Sequence, residues 1–199
     1  MYFFNGALTG NFRYLLMILL FCLNVSGCDT GDLLPSGEDK RESVVAGSEG
    51  YLPGQVATSF SLSDSTGTVI TLDDYLSGGA TPADAIVLYF TMWCPVCLGH
   101  SDHMIYAVIP QFATRGQVKY FLIDYVSGSV QQAFNAELAN GYVGSDFVVL
   151  ADTNRVVFRQ FHAAMGTTVV IDPSGVIQMN EDYRTGQNLV AELDYLLPE

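Results

Sequence analysis

Apolar and polar positions change rhythm along this chain, and each change marks an element. Ala85-Ile-Val-Leu-Tyr-Phe-Thr91 is a continuous apolar run of strand length, the pattern of a strand buried on both faces. Val118–Val126 predicts a second buried strand and Phe147–Ala151 a third. Upstream, Ser59–Leu62 and Thr68–Leu72 alternate on either side of Asp64-Ser65-Thr66-Gly67, which is hairpin chemistry. Between the buried runs, Val96–Arg115 reads as a helix, bent or ended near Pro110. Ser129–Asn140 reads as an amphipathic helix with Ser129 as its N-cap, and a further helix is expected from Thr153 to about Phe161. Thr167–Asp172 and Val176–Met179 flank Pro173-Ser174-Gly175, a compact turn between antiparallel strands. Gly186–Leu197 closes the chain as a helix with Val190, Leu193, Leu196 and Leu197 on one stripe. Strands alternating with helices predict a parallel pair with crossover helices, extended by antiparallel strands. The expected class is α/β, a central mixed sheet flanked by helices with an N-terminal β-hairpin extension.

With 199 residues, 49% of them hydrophobic and 15% charged, the chain can bury one core of ordinary size. Its formal charge of −13 excludes binding to a phosphate backbone, which needs clustered Lys and Arg. Only Tyr14–Val25 approaches membrane length, and it is too short for a comfortable span. Preceded by Arg13 and free of acidic residues, it has the layout of a secretory signal.

Val25-Ser26-Gly27-Cys28 resembles a bacterial lipobox, which implies cleavage before Cys28 and lipidation of its sulfur. The expected organisation is a signal peptide over 1–27, a lipidated Cys28 with a flexible acidic tether to residue 50, and a folded domain over 51–199. Asp29 after that cysteine resembles the signal retaining lipoproteins in the inner membrane of enteric bacteria. The chain is then anchored in a bacterial cell envelope and faces the periplasm.

Of the four cysteines, Cys22 leaves with the signal and Cys28 is capped, so Cys94 and Cys97 remain in the folded domain. They stand in Trp93-Cys94-Pro95-Val96-Cys97, directly after a buried strand and at the start of a helix. There, unpaired backbone N–H groups and the helix dipole favour a thiolate on Cys94. Pro95 at the first helical position gives up an N–H that would be unsatisfied anyway. Cys97 lies nearly one turn on, within reach of the first sulfur. Cys94 is expected to be the exposed attacking thiol, Cys97 the buried resolving one, and Trp93 the shield of their disulfide. A zinc site would want four ligands and no second cysteine pair exists. His100 and His103 follow at steps of three, each lagging a full turn, so His103 points away from Cys94. Haem attachment would need His at Leu98. A purely structural bridge would close a very small loop.

Phe60-Ser-Leu-Ser-Asp64, Gly67-Thr-Val-Ile-Thr-Leu-Asp-Asp-Tyr75, Ile86-Val-Leu-Tyr-Phe-Thr-Met-Trp-Cys-Pro-Val-Cys97 and Thr167-Thr-Val-Val-Ile-Asp-Pro-Ser-Gly175 together resemble the thioredoxin-like TlpA/ResA and AhpC/TSA redoxins. The likeness runs over about residues 52–197. It implies a thioredoxin fold and thiol–disulfide exchange outside the cytoplasm. A peroxidase fits less well, because Trp93 and the Cys-x-x-Cys spacing interrupt the peroxidatic Thr-x-x-Cys pattern at Thr91-Met-Trp-Cys94.

Two positions depart from the family. Gly166, between Met165 and Thr167 on the loop expected to face Cys94, stands where relatives place a cis-proline. Leu88 stands where thioredoxins bury an acid, leaving Asp124 or Glu181 as candidates for proton transfer to Cys97.

Loss of the proline opens a second reading, a Cu(I) site on Cys94, Cys97 and His162, similar to the Sco copper chaperones. Those use a longer Cys-x-x-x-Cys spacing. His162, His100 and His103 otherwise read as solvated residues and Met165 as a packing residue. A degenerate redoxin that only binds a partner is a third reading.

The first expectation is a membrane-anchored thiol–disulfide oxidoreductase. Its redox group is the Cys94–Cys97 disulfide, with no other cofactor. Its partners are protein thiols or disulfides and a membrane or periplasmic redox donor, and it works as a monomer. Uncharged Val96 between the cysteines suggests a reducing or intermediate couple.

Overall fold

The computed structural model describes residues 44–199. The signal segment with Cys22, the lipobox cysteine Cys28 and the tether up to residue 43 lie outside the described residues.

Seven strands form one mixed sheet, and the apolar run singled out above is one of its interior strands. In chain order come β1 (Glu49–Gly50), β2 (Val56–Ala57), β3 (Ser61–Asp64), β4 (Val69–Thr71) and β5 (Ala85–Thr91). They are followed by α1 (Pro95–His103), a π-helical stretch (Met104–Val108), α2 (Ile109–Phe112), β6 (Val118–Asp124) and α3 (Val130–Asn140). The chain ends with β7 (Phe147–Ala151), α4 (Val156–Gln160), β8 (Thr167–Ile171), β9 (Ile177–Asp182) and α5 (Gln187–Leu196). The large sheet has the order β4-β3-β7-β6-β5-β8-β9. β5, β6 and β7 are parallel, while β3 joins β7 and β8 joins β5 antiparallel. The parallel centre with antiparallel flanks matches the expected architecture.

All seven residues of β5 are buried, and their alternation divides the core. Ala85, Val87 and Tyr89 face a cluster built with Cys97, Met104, Val108, Phe112, Leu189 and Leu193. Ile86, Leu88 and Phe90 face the opposite cluster, with Phe121, Leu150, Val157 and Phe161. Leu88 therefore lies on the side of the sheet away from Cys97, and Tyr89 lies on its side.

Two acidic residues close the turns. Asp64 Oδ1 accepts the Thr66 and Thr68 N–H groups, pinning the β3–β4 hairpin. Asp172 Oδ1 does the same for Ser174 and Val176, and Gly175 takes the φ of +87° that this turn requires. Ser129 caps α3 as expected, its hydroxyl accepting the Gln132 N–H.

Three boundaries differ from expectation. Pro110 neither ends nor breaks the first helix; the turn before it widens, and the Ile109 N–H reaches back to the Met104 carbonyl. The helix thus accommodates a residue without an N–H and continues to Phe112. The helix after β7 is shorter than expected, because Asp152 accepts the Val156 and Phe158 N–H groups and starts α4 at Val156. Glu49 and Gly50, expected in the tether, pair in parallel with Val56 and Ala57. The same segment bonds to the β8–β9 hairpin through Gly54 N–H to Ile177 and Ala57 N–H to Gly175. Among the described residues, no helix is long and apolar enough to cross a membrane.

Leu88→Ala separates core from site. It should cost about 2–5 kcal/mol of stability in chemical denaturation, while the alkylation rate of Cys94 stays at the wild-type value.

Candidate active site

The site forms where β5 passes the chain to α1. Cys94 is the N-cap of α1, in extended conformation with φ −77° and ψ 162°, and Pro95 follows in the first turn. The Cys94 sulfur accepts the Cys97 N–H at 3.3 Å, satisfying a donor that no helical carbonyl can reach. One turn on, the Cys97 sulfur lies 3.1 Å from that of Cys94, and both are free thiols. A disulfide would need the sulfurs to approach by only about 1 Å. Cys94 is half-exposed whereas Cys97 is 0% exposed, so an incoming sulfur can reach the first and not the second.

The Cys97 thiol and then the Cys97 N–H, both bonding to the Cys94 sulfur, hold the Cys94 thiol below its ordinary value, against a smaller opposing effect of burial. Val96, exposed at the surface, adds no charge to this.

Trp93 is locked in place. Its φ of +60° is unusual for a bulky residue, and its own N–H donates to Thr91 Oγ1 at 3.0 Å. The indole Nε1 donates to Asp124 Oδ2 at 2.8 Å, and the ring stacks on Tyr142 at 6.1 Å. Tyr142 is held in turn by donating to Asp102 Oδ1 at 2.8 Å. The Trp93 ring is thus anchored on two sides.

The two proton-transfer candidates fall in different settings. Asp124 is fully buried at the end of β6, but Oδ2 takes the indole and Oδ1 takes the Val126 and Ser127 N–H groups. It positions Trp93. Glu181 is exposed on β9 and accepts from Asn188.

The loop residues fall differently from expectation. Gly166 has φ +85°, donates its N–H to the Phe90 carbonyl at 3.0 Å, and accepts the Tyr183 N–H at 2.9 Å. No cis peptide occurs among the described residues. A Cβ on Gly166 would sit 3.7 Å from His100 Nδ1 and 4.0 Å from Tyr89 Oη, so this backbone covers a Tyr–His pair. Thr167 is buried and closes the loop, its Oγ1 accepting the Ala164 N–H at 2.8 Å. Met165, read as a packing residue, is exposed.

His162 stacks on Tyr51 with ring centroids 3.9 Å apart, at a φ of +49°. It does not join the cysteines: among the described residues no three His, Cys, Asp or Glu side chains are grouped to hold a metal ion. His103 is exposed, as read, and His100 is half-buried; each ring also meets a tyrosine. His100 Nδ1 lies 3.0 Å from Tyr89 Oη, and His103 Nδ1 lies 2.7 Å from Tyr183 Oη. Neither Tyr89 nor Tyr183 was singled out as a site residue in the sequence. The signal for Tyr89 was a hydroxyl inside an otherwise apolar buried strand, where it must find a partner.

A central mixed sheet with a dithiol capping the helix after a buried interior strand is a thioredoxin-like arrangement. Residues 53–180 match the AhpC/TSA family, and the chain belongs to that family. None of the curated proteins matches the sequence. Among solved structures, a candidate protein disulfide isomerase from Bacteroides thetaiotaomicron is similar in fold. Its TM-score is 0.61 and its identity 18%, over 74% of this chain and 91% of that one. The peroxidoxin BcpB from Mycobacterium tuberculosis gives a TM-score of 0.56 and 22% identity, over 72% and 97% of the respective chains. The MTB protein dsbF, solved in mixed oxidized and reduced forms, gives 0.52 and 22%, over 69% and 94%.

Two outcomes are expected. Alkylation of Cys94 should titrate with a midpoint below the ordinary thiol value of about 8.5, and Cys97→Ala should move that midpoint upward. Asp124→Ala strands the Trp93 indole and two backbone N–H groups. It should cost about 1–3 kcal/mol per stranded donor and red-shift the emission of the chain's single tryptophan.

Proposed function

We propose that this protein is a thiol–disulfide oxidoreductase acting through Cys94 and Cys97, tethered by lipid on Cys28 to the periplasmic side of a bacterial membrane. What carries the reading is the pair of free sulfurs 3.1 Å apart, one half-exposed at a helix N-terminus and one buried behind it. The Cys94 thiolate attacks a substrate disulfide, a Cys94–substrate bond forms, and the first substrate sulfur leaves as a thiolate. Cys97, once deprotonated, attacks the Cys94 sulfur and releases the second substrate sulfur. The protein is oxidised to the Cys94–Cys97 disulfide and the substrate is reduced by two electrons. The reverse sequence oxidises a dithiol.

The lowered Cys94 value supports both directions, since it raises the thiolate fraction for attack and makes Cys94 a better leaving group. The substrates are protein thiols or disulfides, and a membrane or periplasmic donor resets the couple. Anchoring rests on the apolar run Tyr14–Val25 ahead of Val25-Ser26-Gly27-Cys28.

Cys97→Ala should accumulate mixed disulfides with substrate proteins in non-reducing gels, and Cys94→Ala should accumulate none. Equal adduct levels in the two variants would contradict the assignment. Labelled fatty acid should enter the wild-type chain, and Cys28→Ala should abolish the incorporation.

A further inference from the structure

In the exchange cycle Cys97 must lose its proton while fully buried; Asp124 already accepts three N–H groups and Glu181 is exposed on β9. Tyr89 shares the buried cluster of Cys97, and His100 meets it there. Tyr89 is fully buried on the β5 face that packs with Cys97. Its Oη lies 3.0 Å from His100 Nδ1. His100 follows Cys97 by nearly one turn of α1 and is half-buried, so its ring connects Tyr89 to the surface. Gly166 brings loop backbone over the pair, and Tyr183 closes the other side. The Tyr183 ring lies 5.9 Å from that of Tyr89 and 4.8 Å from that of His100.

Resting on the exchange reading above, we propose that Tyr89 and His100 form a proton relay for Cys97, Tyr89 passing the proton and His100 accepting it. The Cys97 S–H bond breaks as its proton moves to Tyr89 Oη. The original Tyr89 proton moves to His100 Nδ1, giving an imidazolium that releases a proton to solvent. The Cys97 thiolate left behind attacks the Cys94 sulfur, and the electron pair of the old disulfide bond departs on the substrate sulfur.

The groups around the pair suit these roles. Cys94 and Cys97 from the α1 end and Tyr183 from beyond β9 face Tyr89, and His103 of α1 and Asp182 of β9 face His100. Burial first, then the Cys97 sulfur, push the Tyr89 phenol far up, so it keeps its proton and can donate and accept at once. Burial and then His103 lower His100, with Asp182 opposing, so the ring is neutral at pH 7 and free to accept.

The test is stopped-flow reaction of the reduced protein with dithiobis(nitrobenzoate), in which each step releases one coloured thiolate. The first phase reports attack by Cys94, the second resolution by Cys97. At pH 7, Tyr89→Phe and His100→Asn should each slow the second phase by about 10²-fold, with the first phase within about twofold of wild type. The deficit should shrink toward pH 9, where bulk base ionises the thiol directly. His100→Asn keeps a side-chain oxygen to accept from Tyr89, so a purely structural role for His100 would leave the second phase unchanged and overturn the relay. An equal deficit at every pH would overturn it as well. If Tyr89→Phe fails to fold, His100→Asn decides alone. Wild-type protein that gives a first phase and no second would overturn the exchange reading, and the relay with it.

Discussion

At the junction of β5 and α1, the Cys97 N–H donates to the Cys94 sulfur at 3.3 Å, and the site is arranged around that bond. A helix N-terminus leaves donors without carbonyl partners, and here a side-chain sulfur caps one of them. The bond favours negative charge on Cys94 and brings the second cysteine to the first. It persists only because its flanks are fixed. β5 is buried along its whole length, which sets where the chain leaves the sheet. Trp93 holds a positive φ because Thr91 binds its N–H and the buried Asp124 binds its indole. A strained residue of this kind stays put only when its surroundings over-determine it.

The same strand decides how Cys97 is served. One residue along a strand changes the face of the sheet, so Leu88 belongs to the cluster beyond the sheet while Tyr89 shares a cluster with Cys97. Leu88 is apolar and lies on the far side of the sheet, so it offers the thiols no acid. Asp124 is buried, yet three N–H groups occupy its two oxygens. On the Cys97 side of the sheet a tyrosine of β5 meets a histidine of α1 instead, with a glycine backbone laid over them.

Much of the fold was legible because its signals are local and repeated. The run Ala85–Thr91, the Asp-led turns at Asp64 and Asp172, and the Ser129 cap each carry a physical reason in the sequence, and each recurs in the structure. The cysteine pair was legible for the same reason, its spacing and its place after a strand being sequence properties. What depended on tertiary approach was not legible. Nothing near His100 announces Tyr89, and nothing near His103 announces Tyr183, eighty residues away. His162 looked close to the cysteines by its place before Gly166, but Tyr51 from the N-terminal segment draws its ring aside. Pro110 suggested a helix end because a proline removes a donor, and a single widened turn proved enough to absorb it.

The most direct test of a working dithiol–disulfide pair is the reduction potential of Cys94 and Cys97, titrated against glutathione with thiols counted by mass. The account predicts one reversible two-electron transition between about −270 and −180 mV, the span from thioredoxin to disulfide isomerase. Thiols that never form an intramolecular bridge at any poise, or that form only glutathione adducts, would contradict it.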